Sequence, residues 1–348
     1  MPADPCKGPP RWLRLLPAAA LLCALLPGVL PGVLPVGDPV PAPDLPAADE
    51  LLDTALPQGD LPDAAVIESA PPGLPAAPVS AGEPIVTTGP EHQPDAPAAL
   101  LTGEELSEGG TVYFRNETGY ALDAAAMLQA ECPVSLGDSG VQVLIVHTHG
   151  TEAYTPTKAE PYTATDSYRT TDARHNMLRV GQLIADILNR RGIETVHSEA
   201  LHDYPSYNGA YNRALKDIQS HLDRYPTIRL VLDVHRDAVG AGTAYRTAAE
   251  VDGVPTAQLM FVTGTDEGGL RHDGWRQNLR FHVQLHDALN TACPGVMRPL
   301  SVRRGRFNQH VRTGSMLVEV GANGNTLEEA LAAARLFAEG LAEFLGDE

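Results

Sequence analysis

The chain has 348 residues and a formal net charge of −19, from 25 Lys and Arg against 44 Asp and Glu. This balance argues against a nucleic-acid-binding protein, because binding phosphate requires a basic surface stripe and the sequence shows none. Pro, Ala, Asp and Glu crowd the first third of the chain, and no Lys or Arg occurs between Arg14 and Arg115. The rest of the chain has an ordinary composition, so we predict one folded domain and not two.

Residues 1–37 are predicted to be a short cytoplasmic stub followed by a transmembrane segment. Arg11 and Arg14 precede an uncharged run rich in Leu, Ala and Val over residues 15–37, which is long enough to cross a bilayer. Positive charge on its N-terminal side places the rest of the chain outside the cytoplasm. A cleaved signal peptide is the alternative, and both interpretations predict an exported domain.

Residues 38–109 are predicted to be a disordered linker. Pieces such as DPVPAPDLP alternate with Ala- and Asp-rich stretches, and such a composition buries too little apolar surface to offset the entropy of ordering it. At about 3.1 Å per residue for Pro-rich segments, the linker could reach more than ~100 Å. A domain tethered in this way could act on a layer some distance from the membrane.

Residues 110–348 are predicted to form an α/β domain, with a single sheet and helices on both of its faces, because strand-like and helix-like segments alternate throughout. The main predicted strands are residues 141–146, 193–196, 227–234, 257–262 and 316–320. Helices are predicted over residues 176–191, after Asn208, and at the C-terminal end, where Thr326 and Glu329 form a capping box.

Cysteine content gives little information on the fold. Cys6 and Cys23 lie in the leader, which leaves Cys132 and Cys293 in the folded region. Two cysteines do not make a disulfide framework, and this pair can form one bridge or, at least as readily, remain two free buried thiols.

Three of the predicted strands lead into residues that could form a catalytic site. The first strand is followed by His147 and His149 in HTHGTE, the second delivers His235 in HRDA, and the third carries Glu319 in LVEVGANGN. In open α/β sheets, ligands bind beyond the carboxyl ends of the strands. We therefore expect these side chains to lie close together.

The residue types in this group are those of a zinc hydrolase. His149 and Glu152 are spaced H-x-x-E, which lets both side chains reach one ion on a loop, and His235 would complete a His/Glu/His set with one position open for water. Glu319 is then the expected general base and acid, since a carboxylate within an apolar strand is costly to bury unless it is used.

Residues beside His235 are predicted to support it. Asp233 and Asp237 flank this histidine, and one of them is expected to orient the imidazole through its second nitrogen. Arg236 either binds a carboxylate of the substrate or pairs with one of these aspartates.

The remaining histidines of the folded region are expected to have lesser roles. His282 and His286 share one face of a predicted helix, which we expect to be solvated because the helix is polar. His175, His197 and His202 lie at the edges of elements and are expected at the surface or around the site.

At these motifs the sequence resembles stage II sporulation protein P, a family of cell-wall hydrolases in endospore-forming bacteria. The resemblance extends from about residue 110 to the C-terminus, and HTHxTE together with DxHRDA makes it specific. The segments that carry it are TVYFRNETGYALD, VLIVHTHGTEAY, NMLRVGQLIADIL, RGIETVHSEALHDYPSYNGAY, LVLDVHRDA and MLVEVGANGNTLEEA.

The resemblance implies N-acetylmuramoyl-L-alanine amidase activity together with endopeptidase activity on the peptide cross-links of peptidoglycan. It also implies a domain anchored to the membrane and lying outside the cytoplasm. The implied partners are stage II sporulation proteins D and M, which act with this family while the mother cell engulfs the forespore.

The resemblance further implies a fold similar to that of zinc-dependent amidases, in which a His, a Glu and a second His hold the metal. The second His corresponds to His235 and the catalytic Glu to Glu319, while the first His is either His147 or His149. Those amidases take the Glu ligand from the start of the helix after the first strand, where this chain has residues 174–176 and no carboxylate. Glu152 is therefore the expected substitute.

Two other functions are compatible with the same residues. An exported zinc peptidase acting on free peptides would use the same ligand set. A wall-binding tether without catalysis would leave the histidines with structural roles only.

Overall fold

The computed structural model describes residues 112–164, 168–238 and 244–346, together with one short strand near residue 86. The strands are β1 (Ile85–Thr87), β2 (Phe114–Asn116), β3 (Val143–Val146), β4 (Thr195–His197), β5 (Leu230–Asp237), β6 (Tyr245–Val251), β7 (Val254–Ala257), β8 (Leu259–Gly264), β9 (Leu300–Arg303) and β10 (Ser315–Ala322). The helices are α1 (Ala124–Gln129), α2 (Met177–Arg190), α3 (Ala210–Arg224), α4 (Trp275–Ala292) and α5 (Leu327–Gly346).

The strands form a mixed seven-stranded sheet in the order β2-β9-β8-β10-β5-β3-β4. Neighbouring strands are parallel except β8 and β10, which are antiparallel. The strands β10, β5 and β3 therefore run in the same direction, and their carboxyl ends meet at one edge of the sheet.

The expectation of a single sheet is wrong, because β1, β6 and β7 form a second sheet of three strands. β6 and β7 are joined by a tight hairpin at Asp252 and Gly253, both with positive φ, as a two-residue Asp-Gly turn requires. Residues 85–87 lie within the segment that we expect to be a linker, and they pair with β6. The rest of that segment and the predicted anchor lie outside the described residues.

Helices cover both faces of the larger sheet, as predicted. In β3, Val143 and Ile145 belong to the main core together with residues of α2, α4 and α5. The alternate residues Leu144 and Val146 pack in a second cluster with Ile218 of α3. Because side chains of a strand point alternately to opposite faces, α3 lies on one face of the sheet and α2, α4 and α5 lie on the opposite face.

Two helix boundaries follow local sequence signals. Asn176 caps α2 by accepting a hydrogen bond from the backbone N–H of Leu178 at 3.0 Å, and the helix is followed by Gly192 at φ +84°. At the start of α5, the N–H of Thr326 donates to Glu329 and the N–H of Glu329 donates to Thr326, both at 3.2 Å. The predicted helix over residues 176–191 and the predicted capping box are both confirmed.

β5 and β10 extend further toward their carboxyl ends than the apolar runs that predicted them. β5 continues through His235 to Asp237, and its ladder with β10 pairs His235 with Glu319. Both residues therefore lie within strands, where the flanking strands satisfy their backbone groups. Over residues 257–262 the chain instead ends β7 and, after one residue, begins β8.

The expectation of a solvated face on α4 is wrong, since His282 and His286 are fully buried. The ring of His282 lies between Thr263 Oγ1 at 2.7 Å and Ser315 O at 3.1 Å, and His286 Nε2 lies 3.0 Å from Arg298 O. Hydrogen bonds to neighbouring elements compensate the burial of these polar rings.

Cys132 and Cys293 are both free, and Cys293 is buried. Of the two states that the sequence left open, the structure therefore contains the pair of free thiols. Within the ranges that the structure describes, no helix combines the length and apolar character needed to cross a membrane.

Candidate active site

The carboxyl ends of β3, β5 and β10 bring four of the predicted site residues into one place. His235 and Glu319 are paired neighbours on adjacent parallel strands. The ring of His149 meets the ring of His235 edge to face, with 5.3 Å between centroids. Glu152 Oε2 lies 3.4 Å from His235 Nδ1. His149, Glu152, His235 and Glu319 thus converge from three separate segments.

The loop after β3 is held in a defined shape. The backbone N–H of Glu152 donates to the carbonyl of His149 at 3.1 Å, which closes one turn and turns both side chains toward β5. Thr148 donates to Asp233 from its backbone N–H at 2.8 Å and from its hydroxyl at 2.6 Å. These bonds fix the H-x-x-E segment against the strand that carries His235.

His147 lies on the opposite side of the strand from this group, against α2. Its Nδ1 is 2.8 Å from Val234 O and its Nε2 is 2.8 Å from Nε2 of His197. A Cβ at Gly181 of α2 would collide with this ring. Both ring nitrogens of His147 therefore have partners. His147 and His149 were the two candidates for the first ligand, and it is the ring of His149 that contacts His235.

The two flanking aspartates have different partners. Asp233 Oδ1 lies 2.9 Å from His235 Nε2, whereas Asp237 pairs with Arg298 at 2.8 Å. Burial by itself would lower the pKa of His235, but the charge of Asp233 and the carboxylate of Glu152 raise it well above its ordinary value. Asp233 is therefore the aspartate that acts on this imidazole.

Three residues that sequence reasoning missed complete the surroundings of His149 and Glu152. Arg169 contacts Asp203 Oδ2 at 2.6 Å and Glu152 Oε1 at 3.2 Å, and Asp203 Oδ2 lies 4.0 Å from His149 Nδ1. The ring of Tyr207 stacks on His149 with 4.5 Å between centroids. Asp203 and Tyr207 lie in one of the segments that carry the family resemblance, which was the available signal, whereas no motif or spacing points to Arg169.

Glu319 has the environment of a proton-transfer group. Among the described residues its Oε2 has no hydrogen-bond partner and is shielded from solvent. Burial raises its pKa to about 8 and the charge of Asp237 adds to the shift, while His235 opposes it. A carboxyl group with such a pKa can both accept and release a proton near neutral pH.

Other polar residues around the site have contacts that hold the fold together. Arg236 is buried and donates from Nε to the carbonyl of Ala153 at 2.9 Å. His202 is also buried, with Nδ1 2.9 Å from His147 O and Nε2 3.3 Å from Asp217. His175 is buried between Asp172 and Glu160, so neither histidine is a surface residue.

The donor types at the site fit a zinc ion, although the side chains adopt an ion-paired arrangement. Within the described parts of the chain, no three His, Cys, Asp or Glu side chains are arranged as a metal-binding group. One buried ring nitrogen, His149 Nδ1, nevertheless lacks a hydrogen-bond partner among these residues, and His235 Nδ1 faces Glu152 Oε2 at 3.4 Å. Two imidazoles and the neighbouring carboxylate of Glu152 are the donors that zinc hydrolases use.

The matching family is Stage II sporulation protein P (SpoIIP), over residues 96–342. This match covers well over half of the chain, which belongs to that family. A curated relative, stage II sporulation protein P of Bacillus subtilis (strain 168), is 26% identical over 223 residues, which are 61% of this chain and 52% of the relative. The chain thus matches about half the length of this relative.

Solved structures with a similar chain path are cell-wall amidases with low sequence identity. AmiC2 of Nostoc punctiforme is 16% identical, with a TM-score of 0.34, over 61% of this chain and 98% of that chain. Ami1 of Mycobacterium smegmatis is 16% identical, with a TM-score of 0.38, over 60% and 99%. An N-acetylmuramoyl-L-alanine amidase of Clostridium difficile 630 is 15% identical, with a TM-score of 0.36, over 60% and 97%. Likeness at this level carries no information on function.

Proposed function

We propose that this protein is a zinc-dependent peptidoglycan hydrolase of sporulating cells, with N-acetylmuramoyl-L-alanine amidase and endopeptidase activity. The observation that carries the proposal is the meeting of His149, Glu152 and His235 beside a separate carboxylate, Glu319, whose pKa is raised to about 8. Membership of a sporulation family supports the cell wall as the substrate.

His149, Glu152 and His235 would hold the zinc ion, and Asp233 would orient His235. Zinc in such a site polarises a carbonyl group and makes a bound water acidic enough to act near neutral pH. Arg169 and Asp203 hold Glu152 and His149 in place through the contacts described above.

Glu319 would take a proton from the attacking water and return it to the amine that leaves when the bond between the lactyl group and L-alanine breaks. The burial of Glu319 favours proton uptake from the water, since a poorly solvated carboxylate has a high proton affinity. Its place directly beside His235 puts the proton acceptor next to the proposed ligand set.

The Glu319→Gln substitution tests the proposal, because it keeps the shape of the side chain but removes its basicity. We expect a loss of about 100- to 10,000-fold in amidase turnover on purified peptidoglycan, followed by mass spectrometry of the fragments, with zinc content unchanged. Glu250→Gln is the matched control, since Glu250 is an exposed carboxylate on β6. Undiminished turnover by Glu319→Gln would remove Glu319 from the mechanism.

The same digestion distinguishes the other candidate functions. Stem peptides released from intact glycan indicate the amidase, whereas cleavage confined to soluble peptides indicates a zinc peptidase. Full-length protein that binds no zinc yet retains wall binding would indicate a tether.

We also propose a single-pass location in the cell membrane with the catalytic domain outside the cytoplasm, and partnership with stage II sporulation proteins D and M. The apolar run over residues 15–37 supports the anchor. The proposal of these two partners rests on the resemblance to the family alone. Fractionation of cells that express the full chain or a chain lacking residues 15–37 tests the anchor, since only the full chain is expected in the membrane fraction.

A further inference from the structure

The face of the larger sheet that carries Glu319 continues onto β8 and β9. Glu319 pairs with Met260 of β8, and Leu317 pairs with Val262. On the other side of β8, Val262 pairs with Ser301 of β9. Since directly paired residues project to the same face of a sheet, the face with Glu319 also carries Ser301 and, two residues further along β9, Arg303.

The side chain of Arg303 is held in one direction along this face. Its Nε donates to Ser301 Oγ at 3.0 Å, and Ser301 is fully buried. The side chain therefore folds back along β9, toward the level of the sheet at which Glu319 lies. A guanidinium held in this way loses less side-chain entropy when it binds a ligand.

Arg303 differs from its neighbour Arg304 in the charges around it. Arg304 pairs with Glu267 at 3.0 Å. Among the residues that the structure describes, Arg303 has no carboxylate within ion-pair distance, and its contact is the neutral hydroxyl of Ser301. Arg303 is half-buried, so its charge is only partly solvated.

The positive charge of Arg303 acts on two acidic residues of the site, Glu319 and Asp237. Burial and the charge of Asp237 raise the pKa of Glu319, while His235 and Arg303 act in the opposite direction, and the result is a pKa of about 8. Burial also raises the pKa of Asp237, but Arg298 and Arg303 hold it below its ordinary value. A half-buried cation on the same face of the sheet as Glu319, with no ion-pair partner among the described residues, is suited to bind an anionic group of a substrate.

The distance between Arg303 and Glu319 fits a substrate group that lies a short distance along the peptide from the cleaved bond. By strand register, Arg303 and Glu319 are two strands and four residues apart, or about 16 Å between backbone positions at ~4.8 Å per strand and ~3.3 Å per residue. The Arg303 side chain, which folds back toward Ser301, shortens this gap toward the ~7 Å length of two extended residues.

We propose that Arg303 is a specificity-determining residue that binds a free carboxylate of the peptide stem, within two residues of the bond that is cleaved. This inference rests on the proposed function, and it adds the part of the substrate that the site recognises. In peptidoglycan the second residue of the stem is a glutamic acid, whose α-carboxylate is free in some walls and amidated in others. Guanidinium and carboxylate groups form paired, charge-assisted hydrogen bonds that an amide cannot replace.

The test compares two soluble muramyl tripeptides that differ only in whether this carboxylate is free or amidated. With zinc-loaded full-length protein, we expect Arg303→Gln to lower kcat/KM on the free acid by about 10- to 100-fold, as for a lost hydrogen bond to a charged group. On the amidated substrate the change should stay below about twofold. Arg303→Lys should restore part of the loss, because it keeps the charge without the fork geometry.

Arg304→Gln is the matched control, since it removes the same charge from the next residue, and it should affect the two substrates alike. Calorimetric binding of the two tripeptides in a Glu319→Gln background gives a readout that does not require turnover. Equal losses on both substrates, or none on the free acid, would overturn the assignment of Arg303. If the wild type cleaves neither substrate, the proposed function fails, while the calorimetry still decides whether Arg303 recognises the carboxylate.

Discussion

The two faces of the larger sheet are built from the same strands but carry different types of buried side chain. On the face covered by α2, α4 and α5, the strands contribute apolar side chains such as Val143, Ile145 and Val318 to one continuous core. On the other face, besides two small apolar clusters under α3 and around Leu317, β5 and β10 present Asp233, His235 and Glu319. One face therefore contributes stability through burial of apolar area, while the other carries charged groups whose burial costs stability.

The largest effect expected on the core face follows the loss of an aromatic ring. Phe337 of α5 is fully buried and meets Phe261 of β8 edge to face at 6.0 Å. Phe337→Ala should lower the free energy of unfolding by about 3–5 kcal/mol, measured by chemical denaturation. Activity per folded molecule should stay unchanged, because this ring lies on the face opposite to the site.

Phe344, a partly exposed ring on the same helix, is the control. Its replacement by alanine should cost clearly less, since less apolar area is lost. A loss below about 1 kcal/mol for Phe337→Ala would contradict the division of the sheet into two faces.

On the site face, removing a charge should increase stability. Glu319 has a folded pKa of about 8 and an ordinary value of 4.5. Because the folded pKa is raised, the ionised form is disfavoured in the fold, so the cost is absent below pH 4.5 and complete above pH 8. In metal-free protein kept in chelator, Glu319→Gln should be more stable than wild type by up to about 5 kcal/mol at pH 9, with no difference at pH 4.

Denaturation curves of both proteins across this pH range test the prediction. If the stability advantage of Glu319→Gln became smaller as the pH rises, the pH dependence would be opposite to the prediction. This result would show that the Glu319 carboxylate is stabilised by its surroundings.

A smaller effect is expected where His147 lies against α2. Gly181→Ala would push a methyl group into the rings of His147 and His197, at a cost of about 1–3 kcal/mol for overpacking. Zinc content should be unchanged, because His149 is the histidine that contacts His235. Thermal unfolding and metal analysis measure the two effects separately.

Gly346→Ala serves as the control for Gly181→Ala, since a Cβ there meets no atom within 4 Å. Loss of zinc from Gly181→Ala, without general unfolding, would mean that His147 takes part in metal binding.

Much of the fold could be read from the sequence where a few adjacent residues carry the signal. The limits of α2, with Asn176 before it and Gly192 after it, follow from capping. In the three-stranded sheet, the Asp252-Gly253 turn between β6 and β7 is a signal of this local kind that the sequence analysis missed. The pairing of β1 with β6 could not be read in this way, because these strands are distant along the chain. The carboxyl end of β5 was placed too early for a related reason: this strand continues beyond its apolar run, as far as its neighbours supply hydrogen bonds.

The sequence by itself determined the residue types of the candidate site and the strands that bring them to one edge of the sheet, as the meeting of His149, Glu152 and His235 illustrates. Tertiary structure decided which nitrogens are engaged, that His282 is buried, and that Arg169 and Asp203 surround the site. The physical reason is the sequence separation of the contacts involved, because helix caps and apolar strand segments depend on residues that are neighbours along the chain. Burial and charge pairing depend on contacts between segments far apart in sequence, which exist only once the sheet has assembled.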